Sequence, residues 1–158
     1  MFNQGGVQES EIVEPRFLLD HYYEWAAPYF GDGSLFLTLC LVRAKNPRAL
    51  IVSKFRSLDR AVFMRRPGQL ARLPVLVKQP GLWHCHALVK DVPYENARQG
   101  IKSLAELVFY EFSKALPKKG DVHVDPVKGS AGVPLLYSLK CQGPIEVLFE
   151  AMHQSGPQ

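Results

Sequence analysis

The chain has 158 residues, 47% of them apolar and 22% charged, a balance that builds a core and excludes a disordered tail; the length suits one domain. The net charge is +4, yet the segment from Arg43 to Arg72 holds nine basic residues against Asp59 alone, so it carries +8 and the remainder −4. A basic segment of that density suits a phosphate-rich partner, although a solvated helix face has the same composition.

Cys40, Cys85 and Cys141 are widely spaced and form no CxxC pair. They suggest neither a disulfide scaffold nor a structural zinc site, and free thiols point to a reducing compartment, a cytoplasm. The apolar run Leu35 to Val42 is far short of the ~20 residues that span a membrane. Glu9, Glu11, Glu14 and Asp20 argue against a signal peptide. The expectation is therefore a protein without a membrane association.

Residues 1–15 read as a loose tail, 16–153 as a single domain and 154–158 as a second tail. A short helix is expected from Arg16 to Ala27, ending before Pro28, and Gly31-Asp32-Gly33 is a turn signal. Ser34 to Arg43 reads as a strand apolar on both faces, hence central. Asn46-Pro47 starts a helix, with Asn as cap and Pro in the first turn. Ile51, Phe55, Leu58 and Val62 form its apolar stripe. Leu73 to Lys78 and Leu82 to Lys90 form a hairpin around Gln79-Pro80-Gly81. A long helix is expected from Glu95 to Ala115, then a strand from Asp121 to Val127 and a loop from Lys128 to Gly132. Leu135 to Lys140 suits strand or helix, and Gly143-Pro144 opens a final helix through Ile145, Leu148, Phe149 and Met152. This order predicts an α+β fold, a mainly antiparallel sheet with helices packed on one face.

Two short patterns carry chemistry. His84 and His86 stand two apart on an expected strand, so both imidazoles leave one face side by side and can share a metal ion. Trp83, Cys85, Ala87 and Val89 then point to the other face. Tyr137 and Lys140 are three apart, which on a helix puts them on one side. A phenol of pKa ~10 is a weak nucleophile at neutral pH, and a nearby ammonium or metal stabilises its phenolate. Each pattern also occurs by chance, the histidines as structural residues and the tyrosine and lysine as a packed phenol and a surface charge. His21, His123 and His153 stand alone and read as surface or core residues.

Taken together, the patterns resemble a family. Leu35-Phe36-Leu37-Thr38-Leu39-Cys40-Leu41, Trp83-His84-Cys85-His86-Ala87-Leu88-Val89 and Tyr137-Ser138-Leu139-Lys140 resemble, in order, the three motifs of rolling-circle replication initiators of the His-hydrophobic-His endonuclease superfamily. The resemblance spans Ser34 to Cys141 and rests on order and spacing. It implies a ferredoxin-like nuclease fold and metal-dependent nicking and joining of single-stranded DNA through a 5′-phosphotyrosyl intermediate. By this resemblance His84 and His86 hold Mg²⁺ or Mn²⁺, Tyr137 is the nucleophile, and Lys140 activates or positions it. Arg48, Lys54, Arg56, Arg60, Arg65 and Arg66 would contact DNA. Implied partners are single-stranded or hairpin DNA at a replication origin and a helicase supplied in trans. The family's final motif-one threonine is Cys40 here. Where relatives carry an acidic residue before the histidines, this chain has Val77-Lys78-Gln79, leaving Gln79 as third metal ligand, with Asp121, His123 or Asp125 as substitutes.

Two other readings are open. Cys141 before a helix start, with His86 upstream, is similar to the His-then-Cys order of cysteine hydrolases and acyltransferases related to lecithin-retinol acyltransferase and of viral proteins of the His/Asn-Cys type. A non-catalytic nucleic-acid-binding domain would also account for the basic segment.

Overall fold

The computed structural model describes residues 11–13, 26, 28–64, 66–79, 82–116, 118–129 and 145–147. The elements are β1 (Glu11–Val13), β2 (Leu35–Cys40), α1 (Pro47–Phe63), β3 (Arg72–Gln79), β4 (Leu82–Val89), α2 (Leu104–Ala115), β5 (Val122–Pro126) and β6 (Ile145–Val147). The six strands form one sheet in the order β1-β6-β3-β4-β2-β5, and every neighbouring pair is antiparallel. The expected α+β class holds.

From β2 to β5 the chain runs strand, helix, two strands, helix, strand. Within that unit the first and third strands are central and the second and fourth flank them, the split β-α-β arrangement of ferredoxin-like folds. Each crossover carries a helix, and crossovers of one hand place both helices on the same side of the sheet. The core shows which side: Leu35, Leu37, Leu39 and Leu41 pack with Cys85, Ala87 and Val89 against Ile51, Phe55 and Leu58 of α1 and Leu104, Leu107, Val108 and Phe112 of α2. Phe55 and Phe112 meet edge to face with centroids 5.7 Å apart. The residues that alternate with these, Phe36, Thr38, His84 and His86, therefore belong to the opposite face.

Local chemistry sets the helix starts. Asn46 Oδ1 accepts from the Ala49 N–H at 3.1 Å, with Pro47 in the first turn, as expected. The second helix starts at Leu104, not near Glu95. Asn96 and Ile101 form an isolated bridge that closes a turn over Ala97 to Gly100, and Gly100 has φ +68°, a conformation that glycine adopts without strain. Ser103 then caps the helix, its Oγ accepting from the Glu106 N–H at 3.2 Å. Ser-x-x-Glu is a capping signature, and here it outranks the apolar stripe that ran on through Ala97.

Three further expectations are corrected. Glu11–Val13, placed in the loose tail, is strand β1 and pairs with β6. Ile145–Val147, expected to be helical, pairs with β3 on its free side. An Ile-Glu-Val segment has β propensity, and it supplies partners for strand-edge groups that otherwise face water. Pro28 lies in helical backbone, within a turn closed by the Phe30 N–H on the Ala26 carbonyl at 3.0 Å; that bond does not call on the amide hydrogen proline lacks. The remainder of the expected helix from Arg16, and Leu135 to Lys140, lie outside the described residues. Among the described residues, no helix is long and apolar enough to cross a membrane.

A buried ion pair ties α1 to the start of β3. Arg72 donates to Asp59 Oδ1 at 2.6 Å and to the Leu70 carbonyl at 3.0 Å, and Asp59 also accepts from the Leu70 N–H at 2.8 Å. The guanidinium lies 5.2 Å from the centre of the Phe55 ring. Burial pulls the Arg72 pKa down, and the bond to Asp59 opposes that pull. Asp59→Ala strands the guanidinium in the core, so stability measured by urea unfolding should fall by about 3–5 kcal/mol; a loss within 1 kcal/mol would contradict this role.

Candidate metal and nucleic-acid site

The site grows from the register of β4. His86 lies between Thr38 of β2 and Val75 of β3, and His84 between Cys40 and Val77. Strand periodicity of two places both imidazoles on the face away from the helices, as expected from their spacing. Their ring centroids are 5.0 Å apart and the planes cross at 79°. Phe36 stacks on His86 with centroids 5.5 Å apart and planes 11° from parallel. Thr38 Oγ1 lies 3.4 Å from His86 Nδ1.

Exposure divides the pair. His86 is 3% exposed, whereas His84 is half-buried. Burial, and secondarily the charge of His84, pushes the His86 pKa down to about 4. His86 is therefore neutral at physiological pH, the form an imidazole needs to ligate a metal. Cys85, between them, is fully buried among the helix-side apolar residues, and burial raises its thiol to about 12. That suppresses thiolate chemistry at this position.

The described residues do not by themselves assemble a metal ligand set. No group of three or more His, Cys, Asp and Glu side chains that could hold an ion comes together among them. The two imidazoles fit as two nitrogen donors. The Gln79 backbone ends β3, opposite Leu82 and two positions beyond Val77, the cross-strand neighbour of His84. Of the substitutes for it, Asp121 pairs with Arg43 at 3.6 Å, and Asp125 is exposed and stands opposite Phe36.

His123, read from sequence as a lone histidine, stands opposite Thr38 on β5. Thr38 also stands opposite His86, so His86, Thr38 and His123 form one row across three strands on the same face. Strands lie ~4.8 Å apart, which puts the His123 backbone about 10 Å from that of His86. Nothing in the spacing of these residues could disclose the row, because it depends on strand order. Phe36 and Thr38 were visible only as part of a strand motif.

The basic residues separate into two groups. Lys54 lies 3.9 Å from Glu111 of α2 and is largely covered, so this member of the expected DNA-binding set acts between helices instead. Arg43 and Arg72 also have acidic partners within the fold. Arg48, Arg56 and Arg60 line a shallow cavity of about 460 Å³ along α1, and Arg66 is exposed beyond the helix. Arg65, Tyr137, Lys140 and Cys141 lie outside the described residues.

Comparison of the chain with family models, curated proteins and solved structures finds no match in any of the three.

The shift of His86 has a consequence for folding. The unfolded chain binds a proton below its ordinary pKa of 6.5, while the folded site resists until about pH 4. Stability should therefore fall as pH drops through that window, by about 3 kcal/mol in all. Urea titrations at pH 7.5 and pH 4.5 should show a smaller loss for His86→Phe than for the unaltered chain; equal losses would show that His86 titrates normally.

Proposed function

We propose that this chain is a metal-dependent endonuclease that nicks and rejoins single-stranded DNA, with Tyr137 as nucleophile. The reading is carried by one observation: His84 and His86 stand side by side on a central strand, on the sheet face opposite the helices, with centroids 5.0 Å apart. The neutral state of the buried imidazole supports its use as a ligand. The ferredoxin-like strand order and the tyrosine and lysine downstream agree with the same reading.

In this proposal His84 and His86 hold a divalent ion, with Gln79 as a further donor. When bound, the ion neutralises charge on the scissile phosphate. Two imidazoles without a carboxylate suit Mn²⁺ better than Mg²⁺, which prefers oxygen donors. Tyr137 loses its phenolic proton to solvent, and the Lys140 ammonium stabilises the phenolate. The Tyr137 Oη forms a bond to phosphorus as the P–O3′ bond breaks, and the released 3′ oxygen takes up a proton. The product is a 5′-phosphotyrosyl link with a free 3′-hydroxyl. Reversal of the same exchange joins strands. Thr38, beside the His86 ring, would orient that imidazole. The role at a replication origin, with a helicase in trans, belongs to the same proposal.

Incubation of the chain with labelled single-stranded oligonucleotides and Mn²⁺ should yield a protein–DNA adduct that survives boiling in detergent. Tyr137→Phe and EDTA should each abolish it, and His84→Ala should reduce it by roughly 100-fold or more. Cys141→Ala should leave it intact, which separates this chemistry from that of a thiol hydrolase. An adduct unaffected by Tyr137→Phe, or no adduct across a broad oligonucleotide panel, would sink the proposal.

A further inference from the structure

We infer that this chain forms a two-fold dimer through the outer edge of β5, which runs antiparallel to its copy with Val124 at the centre. None of the residues given roles in nicking takes part.

β5 ends the sheet. β2 pairs with one side of it, and among the described residues no strand pairs with the other. The hydrogen bonds to β2 show which backbone groups point outward. The Asp121 carbonyl accepts from the Cys40 N–H at 2.8 Å, and the Val127 N–H donates to the Ser34 carbonyl at 2.7 Å. In an antiparallel ladder alternate residues bond to a given neighbour. Positions 121, 123, 125 and 127 therefore turn their polar groups to β2, and Val122, Val124 and Pro126 turn theirs away. Such a row is a template for a further strand. Pro126, at the end of β5, lacks the amide hydrogen.

The side chains decide which strand fits. Antiparallel pairing about Val124 sets its outward N–H and C=O against those of the copy's Val124 and matches all five residues of β5. It also sets His123 opposite the copy's Asp125, and Asp125 opposite the copy's His123. Both side chains are exposed and lie on the face away from the helices, across from Thr38 and Phe36. An imidazole and a carboxylate thus stand at equal distances from the two-fold axis. Opposite charges directly across two strands stabilise the pair, and like charges destabilise it. An axis through His123 would set His123 against itself and Asp121 against Asp125. It would also oppose backbone groups that already bond to β2.

An exposed aromatic stands beside the same edge. α2 packs against β5, and on its other flank Glu111 reaches Lys54 of α1. Phe109 comes two residues before Glu111, about 200° around the helix. It therefore lies on the flank away from α1, and it is 52% exposed. A two-fold axis normal to the sheet puts both α2 helices on one side, so the two Phe109 rings enter the gap between them. Each copy spends its β5 edge, and the assembly closes at two. The contact is short, so the dimer is a weak one that forms with concentration. It leaves both histidine pairs on the same side of one continuous sheet.

Sedimentation velocity of the full chain over about a hundredfold range of concentration, up to the millimolar level, should show a monomer–dimer equilibrium. Amide hydrogen exchange read by NMR should slow at least about fivefold at Val122 and Val124 when the chain is concentrated. His123 and Asp125, whose amides bond to β2 in either state, should not change. His123→Asp sets Asp against Asp on both sides of the axis and should weaken the dimer about tenfold. Adding Asp125→Lys restores opposite signs and should return the affinity to within about threefold. Val124→Pro removes the central outward amide hydrogen without a bond to β2 and should leave only monomer. Should that variant fail to fold, the exposed His123 and Asp125 variants carry the test. The inference is overturned by a dimer whose Val122 and Val124 amides exchange as fast as the monomer's, or by an affinity that His123→Asp does not move. A chain that stays monomeric at the millimolar level also overturns it and leaves the edge to a strand of another protein. Neither metal nor DNA enters these measurements, so their outcome is separate from that of the nicking assay.

Discussion

The register of β4 between β2 and β3 governs both the core and the candidate site. Along β4, Cys85, Ala87 and Val89 enter the helix-covered core, while His84 and His86 face the other way. A slip of one residue would exchange the two sets. It would drive two imidazoles into the layer filled by Phe55 and Phe112 and take three apolar side chains out of it. The hydrophobic packing that stabilises the sheet is thus the same constraint that aims the histidines.

Charge is partitioned with similar economy. Asp59 and Arg72 form a buried pair at the junction of α1 and β3, and Lys54 and Glu111 bridge the two helices. These contacts absorb part of the basic segment into the architecture. Arg56 and Arg60, exposed on α1, give it a positive character that the net charge of +4 conceals. On the opposite side of the sheet the dominant electrostatic fact is desolvation, which holds His86 neutral. The molecule therefore has exposed arginines on its helical side and a buried, neutral His86 on the other.

Much of this was legible from local patterns, and the misses have physical causes. The two-residue spacing of His84 and His86 was enough to predict their shared face. Asn46-Pro47 marked a helix start because capping is a local interaction. Glu95 to Ile101 was misassigned because helical periodicity in apolar residues continued upstream of the true cap at Ser103. Ile145 to Val147 was misassigned because three residues match a helix stripe as well as a strand, and only the free side of β3 decides between them. Lys54 was grouped with its basic neighbours because its partner Glu111 lies on another helix.

By itself the sequence determined the α+β class, the existence of most elements, the common face of the two histidines and the concentration of positive charge. These follow from interactions within a few residues: side-chain period, capping and turn chemistry. Only the tertiary structure decided that Thr38 stands between His86 and His123, that Arg72 is buried against Asp59, and that the arginines and the imidazoles occupy opposite sides of the sheet. Those facts depend on strand order and on which face each helix covers, and both arise from contacts between residues distant in the chain.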